Sequence, residues 1–326
     1  MMEVIIRTDA SRAIGSGHVM RCLTIAKQLQ MEGCSVCFFM KELPGHLIHY
    51  VEQQGFQNVN EMQEADLCII DHYEIGESWE KEIRSFVKKI VVIDDLANRL
   101  HDCDVLIDQN VVPDYENRYD ELVPAHCVKL LGPNYLIMRE EFIRERNNLK
   151  PRNSEVKRLL VFMGGADPSG ETMKVLSALK QQVLEHVDIV VGSSNPQKEE
   201  IKSICIREGY HFHCQIDYIA SLMGQADFSI GAGGSATWER CFVGLPSSST
   251  VVAENQHITT ETVAGLGAVW NLGWHEKVTE DTYRELIVSL ASRKEFLGNM
   301  CSIGLKLTER TGRTNSWLKR FLEVEK

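Results

Sequence analysis

Short apolar runs alternate with amphipathic helical stretches along the whole sequence, and this alternation limits the fold more than any other feature. Strands are expected at Val4–Arg7, Ser35–Met40, Leu67–Ile70, Ile90–Ile93, Val105–Ile107 and Val128–Leu131. A helix is expected from about His18 to Met31, with Leu23, Ala26, Leu29 and Gln30 at helical spacing and Gly33 as its stop. Apolar strands joined by helices form parallel sheets with both faces covered, so the class is α/β. Around Asn147–Ser154 the texture turns polar and proline-broken, as in a linker. The alternation then restarts, with strands expected at Arg158–Phe162, Asp188–Val191, His211–Cys214, Phe228–Ile230, Ser248–Val252 and Val269–Leu272.

The chain's 326 residues suit two such domains. The expected division is an N-terminal domain over 1–146, a linker over 147–157, a second domain over 158–307 and a terminal helix over 308–326 that returns to the first. Two doubly wound, Rossmann-like domains facing a cleft would bind a ligand at the carboxyl ends of their strands.

With 44% hydrophobic and 25% charged residues, collagen-like, coiled-coil and disordered chains are excluded. A net charge of −11 argues against a duplex nucleic-acid or anionic-membrane partner. No apolar run has membrane-spanning length and the first residues lack a signal pattern, so a cytoplasmic location is expected. The ten cysteines are scattered and read as small buried thiols. Cys34 and Cys37 form a C-x-x-C inside a strand run, not at a helix start where redox pairs sit.

The first loop runs from Arg7 to Arg21 and carries Asp9, Arg12, Gly15, Gly17 and His18. Gly15 and Gly17 allow close backbone approach to a ligand, but Met20 stands where a dinucleotide fingerprint needs a third glycine. His18 puts an imidazole, able to exchange a proton near neutral pH, at the first turn of a helix. Gly164, Gly165 and Gly170 form a second turn; Glu171 stands where a Walker lysine would be, which excludes an ATPase of that type. In the third turn Gly231, Gly233 and Gly234 lead into a helix with Ser235 or Thr237 as caps, a place for phosphate, and Glu239 one turn in can accept from a ribose. Glu254, Asn255 and Gln256 offer polar groups after the next strand.

Asp102-Cys103-Asp104 is a literal D-x-D away from the phosphate turns, and His211-x-His213-Cys214 lacks a second ligand pair, so no metal site is expected. Trp238 and Trp317 read as packing residues.

Taken in order, Arg7-x-Asp9-Ala10-Ser11-x-x-Ile14-Gly15-x-Gly17-His18-x-Met20-Arg21-Cys22-Leu23, Asp71-His72-Tyr73, Asp108-Gln109-Asn110, Gly164-Gly165-x-Asp167-Pro168, Gly233-Gly234-Ser235-x-Thr237-Trp238-Glu239 and Glu254-Asn255-Gln256 resemble the UDP-sugar hydrolase family of pseudaminic acid biosynthesis, which is close to the spore-coat polysaccharide proteins. The resemblance runs across nearly the whole chain. It implies a glycosyltransferase-B-like fold with UDP on the C-terminal domain, and metal-independent, inverting cleavage of UDP-2,4-diacetamido-2,4,6-trideoxy-β-L-altropyranose by water, with no cofactor. His18 matches the family's general base and Tyr73 an active-site aromatic; Gly233, Gly234, Ser235 and Glu239 match the UDP turn. One departure is Ile137-Met138-Arg139-Glu140-Glu141-Phe142, where the family has Leu-Leu-Arg-Pro-Glu-Phe. A UDP-sugar glycosyltransferase, a UDP-sugar epimerase and a non-enzymatic sensor remain rivals, and the oligomeric state is open.

Overall fold

A computed structural model of the chain describes residues 1–11, 14–152, 155–180, 182, 184–309 and 316–322. Arg12 and parts of the expected linker and terminal helix therefore lie outside the described residues. The chain forms two compact units, Met1–Met138 with Arg310–Lys326, and Arg139–Glu309.

In the first unit the strands are β1 (Glu3–Thr8), β2 (Ser35–Phe39), β3 (Gln57–Val59), β4 (Ala65–Asp71), β5 (Val87–Ile93), β6 (Val105–Asp108) and β7 (Val128–Leu131). Their order in the sheet is β3-β2-β1-β4-β5-β6-β7, with every neighbouring pair parallel. Helices α1 (Gly17–Met31), α2 (Ile48–Gln53) and α3 (Glu77–Ile83) lie between strands. Alternate residues of one strand serve opposite faces. Val4, Ile6, Leu67, Ile69, Val91 and Ile93 pack with Val19, Leu23, Ile25, Ala26 and Leu29 of α1. Ile5, Cys68, Ile70, Ile90, Val92 and Leu106 form a second core with Ile83 and Tyr119. Each fully buried aliphatic or phenyl side chain contributes roughly 1.5–3 kcal/mol. β3 has no counterpart among the expected strands, because Gln57-Asn58-Val59 is a polar edge segment without an apolar run.

The second unit repeats the design. Its strands are β8 (Arg158–Phe162), β9 (His186–Val191), β10 (His211–Cys214), β11 (Phe228–Ala232), β12 (Ser247–Val251) and β13 (Trp270–Trp274), in the parallel order β10-β9-β8-β11-β12-β13. The helices are α4 (Glu140–Asn147), α5 (Glu171–Leu179), α6 (Lys198–Glu208), α7 (Ile219–Gln225), α8 (Ser235–Phe242), α9 (His257–Gly265), α10 (Glu280–Leu290) and α11 (Lys294–Leu307). Leu159, Val161, Ile189, Phe228 and Ile230 of the sheet pack with Val175, Leu176 and Leu179 of α5 and Tyr283, Leu286 and Leu290 of α10. α4 packs against α7 and α8, which places the chain's passage into this unit at Met138–Arg139, one helix before the change in sequence texture near residue 147. The final helix, α12 (Ser316–Leu322), adds Trp317, Leu318 and Phe321 to the core of the first unit, and Lys89 donates to the Arg320 carbonyl at its end.

Each sheet reverses its winding between two central strands, β1 and β4 in the first unit and β8 and β11 in the second. Chains leaving adjacent strands at such a point turn to opposite faces and leave a crevice at the carboxyl ends. The loops after these four strands contain the three glycine turns and His72-Tyr73, which follow Asp71 at the end of β4. Among the described residues no helix is long and apolar enough to cross a membrane.

Candidate active site

In the first unit, the reversal between β1 and β4 brings together side chains far apart in sequence. β1 carries Arg7, and Asp9 follows directly after its last residue. The Arg7 guanidinium grips both Asp9 oxygens at 2.7 Å, the Lys41 amide donates to Oδ1 at 2.8 Å and His72 Nε2 lies 3.1 Å from Oδ2. Burial alone would raise the Asp9 pKa, but hydrogen bonds from His72 and Arg7 hold it well below the ordinary carboxylate range. Its oxygens are thus engaged by groups of β1 and of the segments after β2 and β4. Asp9 fixes the turn and orients His72, whose Nδ1 accepts from the Glu74 amide at 3.0 Å.

Beyond Asp9 the chain turns through Gly15, at φ +81°, and enters α1 at Gly17. The Gly15 amide donates to the Ser11 carbonyl at 2.8 Å, closing the turn that leads to His18. From the end of β4, Asp71 reaches back to this helix. His18 Nδ1 lies 2.6 Å from Asp71 Oδ1, and Arg21, one turn further along α1, donates to both Asp71 oxygens at 2.7 Å. Asp71 is wholly buried; its desolvation is overcome by Arg21 and His18, which hold the carboxyl well below its usual range. An ionised carboxylate only accepts hydrogen bonds, so Nδ1 is the nitrogen that donates to Asp71, and Nε2 is the nitrogen left for proton exchange. Tyr73 sets its ring edge-on to His18, with centroids 4.4 Å apart, and donates its hydroxyl to Asp95 Oδ2 at 3.3 Å. Burial pushes the Asp95 carboxyl up.

Two glycine turns of the second unit differ in kind. After β8, Asp167 caps α5 with both oxygens, accepting from the Glu171 amide at 3.0 Å and the Thr172 amide at 2.8 Å. Those amides are thereby engaged within the chain. Gly165 lies against Gly192, where a Cβ on Gly192 would come within 2.8 Å of the Gly165 Cα, so the close approach requires glycine at 192, whereas a Cβ on Gly165 would make ordinary contact at 3.9 Å. After β11 the arrangement is open at the helix start. Gly234 takes φ +89° and ψ −158°, a region reserved for glycine, and α8 begins at the exposed Ser235 without a side-chain cap. Gln256 folds over the turn: a Cβ on Gly233 would meet its Oε1 at 3.0 Å and Thr260 Oγ1 at 2.8 Å. Gln256 belongs to a short 3-10 turn with the exposed Glu254 and Asn255. Glu239, one turn into α8, is half-buried and held by Arg139 at 2.9 Å.

Other chemistry-bearing motifs have partners of their own. Asp102 and Asp104 pair with Arg84 at 2.8 and 2.7 Å. His213 bonds the buried Asp188 at 2.9 Å, as His186 does at 3.0 Å. Among the described residues no group of three or more His, Cys, Asp or Glu side chains is placed to hold a metal ion. Trp238 is buried, and Trp317 stacks edge-on with Phe321 at 5.0 Å.

His18 and Tyr73 thus meet in the first unit, and Gly233, Gly234, Ser235, Glu239 and Gln256 gather in the second. Asp71 and Arg21 were not anticipated as site residues. The available signal was an acid at the end of an apolar strand, Asp71, beside the expected aromatic.

No family model matches the chain. A UDP-2,4-diacetamido-2,4,6-trideoxy-β-L-altropyranose hydrolase of Campylobacter jejuni is 27% identical over 278 residues, covering 82% of this chain and 97% of that protein. The spore coat polysaccharide biosynthesis protein SpsG of Bacillus subtilis is 28% identical over 300 residues, 86% of each. An uncharacterized protein of Methanocaldococcus jannaschii is 28% identical over 269 residues, 75% of this chain but 54% of that protein, so the chain spans about half of that relative. Among solved structures, MurG of Acinetobacter baumannii superimposes with a TM-score of 0.64 at 14% identity, covering 98% of this chain and 100% of that one. The spinosyn rhamnosyltransferase SpnG gives 0.65 at 11%, covering 99% and 100%. The chain therefore has the two-Rossmann architecture of glycosyltransferase-B proteins, and over most of its length its sequence resembles the UDP-2,4-diacetamido-2,4,6-trideoxy-β-L-altropyranose hydrolase and the spore coat polysaccharide biosynthesis protein SpsG.

Proposed function

We propose that the protein hydrolyses the C1–O bond of a UDP-linked 2,4-diacetamido-2,4,6-trideoxyhexose, releasing UDP and the free sugar. The observation that carries this reading is the Asp71–His18 pair: a buried carboxylate, held well below its usual range, lies 2.6 Å from Nδ1 and leaves Nε2 as the nitrogen that would take a proton. Nε2 accepts a proton from water as the water oxygen bonds to C1, and Asp71 stabilises the imidazolium that forms. The C1–O bond breaks with its electron pair going to UDP. Attack from the face opposite the leaving group inverts C1 through an oxocarbenium-like transition state.

UDP leaves as a stabilised anion, so its departure needs positive electrostatic potential more than a proton. The glycine turn before α8 supports this role with the N-terminal end of a helix and a backbone that a Cβ would obstruct. Glu239 is assigned to the ribose hydroxyls, with Ser235, Asn255 and Gln256 around the nucleotide. Tyr73 bounds the sugar side of His18. Gly164 and Gly165 retain a place in the binding reading through the shape of their turn.

A transferase reading is favoured by one observation, the architecture shared with MurG and SpnG. The same base would serve an acceptor hydroxyl. Incubation with the UDP-sugar and no acceptor separates the two: equal amounts of UDP and free sugar support the hydrolase, and dependence on an added acceptor supports the transferase. A UDP-sugar epimerase would instead exchange the C2 proton with solvent deuterium.

A further inference from the structure

Strand β12 poses a problem of composition. Ser247, Ser248, Ser249 and Thr250 are all wholly buried in the middle of a parallel sheet, where apolar residues are the rule. The explanation lies in α8. Arg240 is wholly buried, and its guanidinium lies between the helix and the sheet. Nε donates to Ser247 Oγ at 3.1 Å; Nη2 donates to Ser249 Oγ at 2.9 Å, Thr237 Oγ1 at 3.1 Å and the Ala232 carbonyl at 2.9 Å. Ser247 and Ser249, on one face of the strand, form a cradle for one cation; on the other face Thr250 Oγ1 lies 2.8 Å from the Tyr283 hydroxyl and Ser248 Oγ is buried without a hydrogen-bond partner.

The cradle satisfies hydrogen bonds but supplies no negative charge. Among the described residues no carboxylate forms an ion pair with Arg240; the adjacent Glu239 acts on it only at a distance and is bonded to Arg139. Nη1 is buried without a hydrogen-bond partner, against Gly231, where a Cβ would come within 2.5 Å of it. Burial lowers the pKa only to about 10, so the side chain remains a cation near neutral pH. A buried cation without a counter-ion carries a large desolvation cost. Its position is specific, since the carbonyl it holds belongs to Ala232, immediately before Gly233 and Gly234.

We propose that Arg240 is a positioning residue that supplies the fixed counter-charge for a nucleotide's phosphates at this turn, so that the second unit selects a nucleoside diphosphate over the uncharged nucleoside. The inference rests on the reading that the turn before α8 binds UDP. In a low-dielectric surrounding, a fixed charge acts on a dianion over several ångströms without direct contact. Holding the Ala232 carbonyl also fixes the direction in which the chain enters the glycine turn.

Calorimetric titration of UDP and of uridine tests this. For the wild type, UDP should bind more tightly than uridine. In Arg240→Met this preference should fall at least about tenfold while uridine affinity stays within about twofold, and Arg240→Lys should keep the preference within about threefold. A folded Arg240→Met protein with the preference intact overturns the proposal. Equal loss of UDP and uridine also overturns it, since that is the result of a purely structural role. A second measurement needs no variant. A buried charge is poorly screened, so the wild-type preference should change less than about threefold between about 50 and about 500 mM salt, and a steeper fall assigns it to surface charges instead. A wild type without measurable UDP affinity overturns both this proposal and the reading on which it rests; one that prefers UDP while Arg240→Met does too overturns the counter-charge alone.

Discussion

Asp71 Oδ1 lies 2.6 Å from His18 Nδ1, at the end of the strand next to the one that leads into the His18 helix. The pair resembles the carboxylate–imidazole half of a hydrolase triad, with the nucleophile left to come from solvent. Its two members are 53 residues apart in sequence, and only the parallel pairing of β1 with β4 makes them neighbours.

His18→Asn is expected to lower turnover by at least about 10²-fold, because the proposed general base is lost, while UDP affinity stays within a fewfold. Steady-state kinetics and calorimetry on the same preparation check both parts. Normal turnover in this variant removes His18 from the chemistry.

Asp71→Asn retains the shape of the site but removes the charge that holds the imidazole proton on Nδ1. Turnover is expected to fall by roughly 10³-fold or more. The variant also leaves Arg21 without its buried partner, so folding stability should drop by about 3–5 kcal/mol, readable by urea denaturation. Full activity with lowered stability would make the carboxylate structural only.

At the glycine turn before α8, Gly234→Ala forces a Cβ into a backbone region that costs about 1–3 kcal/mol, and Gly233→Ala places one against Thr260 and Gln256. Both variants should weaken UDP binding. Glu239→Ala should weaken it by about tenfold through loss of the charged acceptor for a ribose hydroxyl. An unchanged dissociation constant for Glu239→Ala counts against the ribose assignment.

Asp108 gives a pH signature of stability. Its carboxyl is buried and pushed up to about 7 by desolvation, partly offset by the Asn110 amide and Arg118. An unfolded Asp ionises near pH ~4, so between that pH and about 7 the folded chain binds more protons than the unfolded one. This contribution to stability is fully present below the window and declines as pH rises through it. Thermal unfolding at pH 5 and pH 8 should therefore show a smaller loss of Tm toward pH 8 in Asp108→Asn than in the wild type. Equal pH dependence in the two proteins contradicts this role.

Much of the architecture was legible because parallel strands are buried on both faces and read as continuous apolar runs, as at Ile90–Ile93. β3 escaped notice because Gln57-Asn58-Val59 has no such run and is ordered by pairing with β2. His18 stood out because Gly15 and Gly17 frame it at a strand-to-helix turn. Asp71 was visible only as part of a family motif, since its role depends on a pairing that local sequence does not encode. Arg240 was hidden for another reason: an arginine following Glu239 on a short helix reads as surface, and only the buried Ser247 and Ser249 hydroxyls show otherwise.

The most direct test is to incubate the purified protein with UDP-2,4-diacetamido-2,4,6-trideoxy-β-L-altropyranose in ¹⁸O-labelled water without an acceptor, following the products by NMR and mass spectrometry. The expected result is equimolar UDP and free sugar, with the label on C1 of the sugar, none on UDP, and the first-formed anomer inverted. Label on the UDP phosphate, retention at C1, or no release until an acceptor is supplied would contradict water attack at C1 by way of His18.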